Sequence, residues 1–216
     1  MPILGGYGNA SEYAYRGFIV ELPDPFDWVD LYDVDPGQEY RAGYAKITGI
    51  KMCEAYRDQY GYNFISAMPT NLYGPNDNYH PENSHVLPAM IRKFHEAKVQ
   101  NKPNVELWGD GSPMREFLYA DDLANALVYL MLNYNDKQFV NVGYGSDVTI
   151  QDLAEKVSNI VGYKGGVIWD KTKPNGTPRK LMDSGKLFAT GWRPKTNLED
   201  GINSAYQDFL KMEGIA

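Results

Sequence analysis

The feature that most constrains the fold is the alternation of helical and strand-like patterns from residue 46 onward. The stretch 46–60 carries Ile47, Ile50 and Cys53 at helical spacing, and the apolar run FISAMP (64–69) follows it as a strand pattern. Further helices are predicted at 85–100, 121–134, 153–162 and 198–212, and further strands at 105–109, 115–120, 139–143 and 166–170. Such alternation predicts an α/β protein with a parallel sheet.

Local signals also place a loop, a turn and two helix ends. The segment TNLYGPNDNYHPENS (70–84) is rich in Gly, Pro and Asn, which predicts an irregular loop, and a loop of this length is usually functional. DGSPM (110–114) is predicted as a turn between two strands. Thr149 precedes Asp152 by a spacing that approximates a capping box, and Gly162 is a suitable C-cap for the same helix.

Composition disfavours several classes of protein. A formal charge of −7 with a pI near 5.0 argues against nucleic acid or anionic membrane as partners, because proteins that bind phosphate backbones usually carry a positive excess. The single cysteine, Cys53, excludes an intramolecular disulfide and fits a reducing compartment. We find neither a signal-peptide pattern nor an apolar run of about 18 residues, and we predict a soluble cytoplasmic protein.

Residues 1–40 do not join the alternating pattern and are predicted as an atypical N-terminal segment, distinct from 41–216. They are acidic and broken by prolines, with one strand-like run at 18–22. GGYG (5–8) supplies two glycines at the first spacing of a dinucleotide-binding turn, but Ser11 stands where a third glycine is expected. An ordinary glycine turn is the preferred interpretation, and a phosphate-binding loop is the alternative.

Several motifs together resemble the GDP-L-fucose synthase family of extended short-chain dehydrogenases. They are MPTNLYGP, NSHVLPA, LWGDGSPMREFLYADD and GTPRKL, and the resemblance extends in order over about residues 44–212. It implies a partial, N-terminally truncated Rossmann-like parallel sheet, whose elements interleave with a smaller α/β substrate domain. It also implies NADP as cofactor, a GDP-sugar as ligand, and epimerisation and NADPH-dependent reduction of GDP-4-keto-6-deoxy-mannose as the family reaction.

The resemblance assigns roles to single residues. His85 corresponds to the acid/base of the epimerisation, a role that suits an imidazole because its pKa lies near neutrality. Lys46 corresponds to the lysine that tunes a catalytic tyrosine and binds the cofactor ribose. The positions matched to cofactor contacts are Lys46, Pro69, Thr70, Asn71, Leu72 and His85. The positions matched to nucleotide-sugar binding are Lys93, Trp108, Arg115 and Asp183.

Two departures from the family pattern concern catalysis. A catalytic tyrosine is expected four residues before Lys46, but Ala42 occupies that position, and Tyr40 and Tyr44 lie at spacings that place them off the lysine's helix face. No Ser-x-Cys occurs in the chain, and Cys53 is predicted as a buried core residue. The sequence therefore predicts weak or absent reductase activity.

The sequence leaves several alternatives open. The chain could be a non-catalytic binding or assembly module, one half of a split enzyme with a complementary chain, or a fragment or engineered product with an unrelated leader. A homo-oligomer is predicted because the strand at 64–69 would lack neighbours and expose a hydrophobic edge. His95 is predicted at a helix surface, and no metal site is predicted because His80 and His85 lack a third ligand.

Overall fold

The computed structural model describes residues 36–81 and 83–214, with side chains from residue 46 onward. The predictions for the glycine turn at 5–8 and the strand-like run at 18–22 lie outside these residues. The helices are α1 Pro36–Tyr60, α2 Val86–Val99, α3 Ala120–Asn133, α4 Ile150–Val161, α5 Gly185–Ala189 and α6 Leu198–Met212. The strands are β1 Ala67–Pro69, β2 Asn71–Tyr73, β3 Asn104–Trp108, β4 Met114–Arg115, β5 Phe117–Tyr119, β6 Val140–Val142, β7 Val148–Thr149, β8 Gly166–Asp170 and β9 Arg179–Lys180.

Two compact units divide the chain, and the first comprises the described residues 36–69, 123–142 and 184–193. Strands β1 and β6 of this unit pair in parallel. Parallel neighbours need a long crossover between them, and the pairing confirms the predicted α/β class. The buried apolar side chains of this unit include Ile65, Leu123, Leu127, Leu130, Val140, Val142, Leu187 and Trp192.

Helix α1 contains the predicted helix 46–60 and begins earlier, at Pro36. Cys53 is 5% exposed, as predicted for a core residue. The prediction that Ile47 lies on the same stripe is wrong, because this side chain is 55% exposed. The buried positions are Gly49 and Cys53, and Ile47 lies roughly 200° around the helix from Gly49. No helix in the described residues has both the length and the apolar character needed to cross a membrane.

The second unit comprises the described residues 70–122, 143–183 and 194–214. Its strands form the parallel pairs β2–β5 and β3–β8 and a three-stranded sheet in the order β7–β4–β9. Helices α2, α4 and α6 pack on one another and share an apolar core. Members of that core with almost no exposed surface include Leu87, Ile91, Phe94, Leu153, Val157, Ile202 and Phe209.

Two of the predicted helices show which local signals decided the structure. Thr149 caps α4, since its side-chain oxygen accepts from the Asp152 N–H at 2.9 Å, and Gly162 ends the helix with a φ of 77°. Both caps were predicted. The prediction that His95 lies at the surface of α2 is wrong, because the residue is 7% exposed and its Nδ1 lies 3.0 Å from the Tyr206 hydroxyl on α6.

Strand pairing corrects one further prediction and shows which partners the strands around the 110–114 turn take. Residues 71–73, predicted within an irregular loop, form β2 and pair in parallel with β5. The strands on either side of the 110–114 turn do not pair with each other, because β3 pairs with β8 whereas β4 pairs with β7 and β9. Both outcomes depend on partners distant in sequence, which local composition does not specify.

Candidate functional site

The loop at 74–84, which leads into α2, is held by contacts to α6. Tyr79 is buried, and its hydroxyl donates to the Ala205 carbonyl oxygen at 2.8 Å. The Asn76 N–H donates to an Asp208 carboxylate oxygen at 2.7 Å. These bonds fix an irregular segment against a packed helix, and the position of the residues that follow it is set by the core of the second unit.

Arg92 of α2 closes the base of this loop. Its Nε donates to the Tyr79 carbonyl oxygen at 2.5 Å, and its guanidinium lies 5.3 Å from the centroid of the Phe209 ring. The same side chain forms ion pairs with Glu96 on α2, at 3.0 Å, and with Glu213 at the end of α6. One arginine therefore joins the loop, α2 and the C-terminal end of α6.

The predicted acid/base His85 stands at the N-cap of α2. Its backbone is extended, its side chain makes no capping hydrogen bond, and the residue is exposed. Its charge acts on Asp77 in the same loop, which is partly buried. Burial raises the pKa of the Asp77 carboxyl to about 6, although the Asn78 backbone N–H and His85 both favour the ionised form.

A cleft of about 190 Å³ is lined in part by Val86, the residue that follows His85. It contains two of the predicted substrate-binding residues, an aromatic and a cation. Its walls are formed by Val86, Trp108, Gly111, Pro113, Arg115, Ile150, Pro174 and Asn175. Apolar walls with a few polar groups are typical of small-molecule sites.

Trp108, at the end of β3, presents its indole to this cleft and is 63% exposed. The Lys173 ammonium lies 5.4 Å from its ring centroid. Gly109, with a φ of 80°, follows it, and a Cβ there would fall 2.2 Å from Asn175 Oδ1. That oxygen accepts from the Asp110 N–H at 2.9 Å, so the absence of a side chain at Gly109 lets the turn close against Asn175.

Arg115 has a cationic neighbour that the sequence analysis did not single out. The parallel register of β4 and β9 places Lys180 directly beside Arg115, and paired residues of neighbouring strands project from the same face. The adjacent Arg179 is differently engaged, because it forms a two-point contact with Asp147 at 2.6 and 3.0 Å. Arg115 and Lys180 therefore place two cationic side chains on neighbouring strands of this sheet, in a protein of net negative charge.

The other two predicted substrate-binding residues, Lys93 and Asp183, do not line this cleft. Lys93 on α2 donates to the Glu106 carbonyl oxygen of β3 at 3.4 Å, two residues before Trp108. Asp183 is exposed and follows Met182, which lies just beyond β9. The structure therefore brings Trp108 and Arg115 together and leaves Lys93 at the margin.

The predicted cofactor contacts are divided between the units. Thr70 and Asn71 lie in the second unit, where their side chains donate to the Glu116 carbonyl oxygen at 3.4 and 2.8 Å. Leu72 follows in β2. Lys46, on α1, and Pro69, at the end of β1, lie in the first unit.

A larger depression of about 370 Å³ lies on the surface of α4 and contains none of the predicted site residues. It is lined by Val148, Asp152, Glu155, Lys156 and Asn159. Its cation, Lys156, is already paired with Glu199 on α6. We therefore place the candidate site at the smaller cleft, where the aromatic and cationic residues converge.

Sequence reasoning missed Lys180 and Asp77. Lys180 belongs to the GTPRKL motif, where two adjacent basic residues gave a signal, but only strand register shows which of them stands beside Arg115. Asp77 lies in the 70–84 loop among other polar residues. It is distinguished by partial burial and by a charge interaction with His85. Burial of a single loop carboxylate has no local sequence signal.

A family model described as "NAD dependent epimerase/dehydratase family" matches residues 29–143. GDP-L-fucose synthase 1 of Arabidopsis thaliana is 58% identical over 178 residues, which cover 82% of this chain and 55% of that protein. GDP-L-fucose synthase of Escherichia coli K12 is 51% identical over 176 residues, or 77% of this chain and 55% of that protein.

A solved structure gives the same relationship. A GDP-L-fucose synthetase from Naegleria fowleri, bound to NADP, is 28% identical, with a TM-score of 0.74 over 81% of this chain and 57% of that chain. The chain spans about half the length of the curated relatives it matches. The resemblance to GDP-L-fucose synthases and the Rossmann-like α/β fold predicted from the sequence are both confirmed.

Proposed function

The chain belongs to the NAD dependent epimerase/dehydratase family, and from this premise we propose that its second unit binds the nucleoside diphosphate of a GDP-sugar. The observation that carries the proposal is the cleft in which an exposed Trp108 indole and the Arg115 guanidinium converge. The relatives named for GDP-L-fucose synthesis support guanine as the base and a keto-deoxy sugar as the reacting group.

The chemistry of the cleft fits such a ligand. A diphosphate carries negative charge on several oxygens, and a guanidinium can bind two of them at once. Lys180, in register with Arg115, supplies a second cation, and Lys93 stands close to Trp108's strand for a third contact. The Trp108 indole offers a flat surface to a planar base or the apolar face of a sugar. Asp183 would accept hydrogen bonds from ligand hydroxyl groups.

His85 is proposed as the acid/base of the epimerisation. It is exposed and directly precedes Val86, which lines the cleft. The loop anchored by Tyr79 positions the His85 backbone. Removing a proton beside a keto group and returning one requires a group with a pKa near neutrality.

NADP(H) is the proposed cofactor, and the second unit fits only its nicotinamide end. Thr70, Asn71 and Leu72 form a strand edge that the Glu116 carbonyl holds in place, and His85 is the remaining candidate contact in this unit. When bound, NADPH would supply the hydride that reduces the keto group. Among residues 36–81 and 83–214, no helix begins at a Gly-x-x-Gly turn that could receive the pyrophosphate.

We therefore propose that this chain binds a nucleotide sugar but has weak or absent reductase activity. Ala42 replaces the expected tyrosine four residues before Lys46, and the sequence lacks a Ser-x-Cys. The cofactor roles of Lys46 and Pro69 rest on the resemblance alone. Turnover of the keto sugar with NADPH at ordinary enzyme rates would contradict this part of the proposal.

An assembly module is the second candidate function, and one observation favours it. Met52, Tyr56 and Tyr60 recur every four residues on α1 and are 47%, 38% and 55% exposed. Their row continues into Tyr62, which is 49% exposed and stacks on Tyr60 with 5.9 Å between ring centroids. An exposed apolar row of this kind is typical of a protein interaction surface, for a second copy or for a complementary chain.

Calorimetric titration with GDP, GDP-mannose and NADPH tests the binding proposal. GDP should bind, and Arg115→Ala should weaken its binding by about 1.5 to 3 kcal/mol, the range for a hydrogen bond to a charged group. Arg193→Ala is the matched control, since this exposed arginine lies in the first unit and donates to the Phe188 and Trp192 carbonyl oxygens. Its GDP affinity should change less than about twofold. Tight NADPH binding without a response to GDP would overturn the proposal.

A further inference from the structure

Glu116 is a fully buried carboxylate immediately after Arg115, with 0% of its surface exposed. Its Oε1 accepts from the Gly145 N–H at 2.7 Å, and its Oε2 accepts from the Met182 N–H at 3.3 Å. In the described residues no ion pair includes Glu116. A buried carboxylate is costly unless its oxygens are satisfied, and here two loops supply the donors.

The backbone of Glu116 makes three further contacts. Its N–H donates to the Lys180 carbonyl oxygen at 3.3 Å. Its carbonyl oxygen accepts from Asn71 Nδ2 at 2.8 Å and from Thr70 Oγ1 at 3.4 Å. One residue thus joins three segments of the second unit. They are β2 with its preceding residue, the loop after β6, and β9 with the loop that follows it.

The carboxylate is suited to this junction in a way that other side chains are not. An ionised carboxylate offers acceptors on both oxygens, whereas a glutamine of the same shape offers one acceptor and presents an NH₂ to the second N–H. Two residues beyond Gly145, the Asp147 carboxylate holds Arg179, and Arg179 precedes Lys180. One end of the β9 segment is therefore tied to the loop that reaches Glu116, and the other end is bonded to Glu116 itself.

We propose that Glu116 is a positioning residue for the nucleotide site. Its carboxylate holds the Gly145 loop and the Met182 segment around β4, and this keeps Lys180 in register beside Arg115. The role rests on the proposed function. It is exerted through Arg115 and Lys180, because the Glu116 side chain is buried and does not line the cleft.

The chain provides a matched control. Asp122 is also buried, at 5% exposed, and its two oxygens accept from the backbone N–H groups of Lys195 and Thr196 at 3.2 and 2.9 Å. It lies in the same unit and does not line the cleft. Glu116→Gln and Asp122→Asn therefore make the same chemical change to the same kind of junction, but only the first is next to the proposed diphosphate site.

The experiment compares GDP affinity by calorimetry and melting temperature for the wild type and the two variants. Both variants should melt at lower temperature, whereas only Glu116→Gln should weaken GDP binding, by about tenfold or more. Glu116→Asp retains the charge and should recover part of the affinity. Equal GDP affinity for Glu116→Gln and Asp122→Asn would overturn the positioning role.

Hydrogen exchange separates this inference from the proposed function. In Glu116→Gln, exchange should rise at the Gly145 and Met182 amides and along 179–183, while the Lys195 and Thr196 amides stay protected. If the wild type fails to bind GDP, the proposed function falls, and exchange still decides whether Glu116 holds these segments. Unchanged or uniformly increased exchange would overturn the inference. If Glu116→Gln does not fold, the same measurements are made on Glu116→Asp, with an intermediate effect expected.

Discussion

Helices α2, α4 and α6 of the second unit share one apolar core, whereas helices α1 and α3 of the first unit leave several large apolar side chains exposed. In the second unit α2, α4 and α6 contribute to one apolar cluster, and Phe94 and Phe209 within it are 0% and 1% exposed. In the first unit, Leu132 and Val128 on α3 are 73% and 51% exposed, and the aromatic row on α1 is comparably open. The difference indicates that ligand geometry depends on the second unit, while the first has surface available for further contacts.

The largest expected effect tests whether the second unit's core carries the stability. Leu153→Ala on α4 removes a side chain that is 0% exposed and should lower the free energy of unfolding by about 2 to 5 kcal/mol, since a cavity remains. Leu132→Ala on α3 is the matched control and should change it by less than about 0.5 kcal/mol. Chemical denaturation measures both. Equal losses would mean that Leu132 is covered by a contact in solution.

A smaller effect concerns Asp77, whose ionised carboxylate lowers the stability of the second unit. Because the folded state raises the pKa of Asp77 from 3.8 to about 6, the folded protein binds this proton more tightly than the unfolded chain. The ionised carboxylate therefore destabilises the fold, fully above about pH 6 and progressively less as the pH falls toward 4. Asp77→Asn should raise the free energy of unfolding at pH 7.5 by about 1 to 3 kcal/mol, with little difference at pH 4.

The control for this pH dependence lies in the first unit. Asp58 is 59% exposed and paired with Lys137, and Asp58→Asn should give no gain in stability at pH 7.5. Denaturant titrations of wild type and both variants at pH 4 and pH 7.5 separate the two cases. A gain for Asp77→Asn of equal size at both pH values would assign it to packing rather than ionisation.

The smallest expected change in folding stability tests the open surface of the first unit. We expect a dimer or higher oligomer, and Tyr60→Ser should weaken association while changing the stability of the subunit by less than about 0.5 kcal/mol. Ile168→Ser on β8 of the second unit, where the isoleucine is 50% exposed, should leave association unchanged. Light scattering across a dilution series measures both. A monodisperse wild-type monomer at micromolar concentration would contradict the expectation.

The parts of the fold that the sequence predicts are those fixed by neighbours along the chain. The caps of α4 at Thr149 and Gly162 are contacts within a few residues, and their residue types specify them. The strand at 71–73 was missed because its polar and turn-forming neighbours outweigh a pairing with 117–119. His95 was misplaced for the same reason, since its burial depends on Tyr206 of α6.

The candidate site divides in the same way. Trp108 and Arg115 belong to one continuous motif, so the sequence alone identifies them as candidates. The structure brings both to one cleft. The place of Lys180 depends on the register of two short strands, and the place of Asp77 depends on burial of a loop. Neither property is encoded within a few residues, so a resemblance or a structure is needed to find them.

The anchoring of the 74–84 loop has a consequence for the order in which the protein matures. Its contacts to Ala205 and Asp208 join residues more than a hundred positions apart, and such contacts form only after the distant segment is available. During synthesis the loop leaves the ribosome long before α6 does. The loop that precedes His85 therefore reaches its final place only after α6 has been made and has packed onto it.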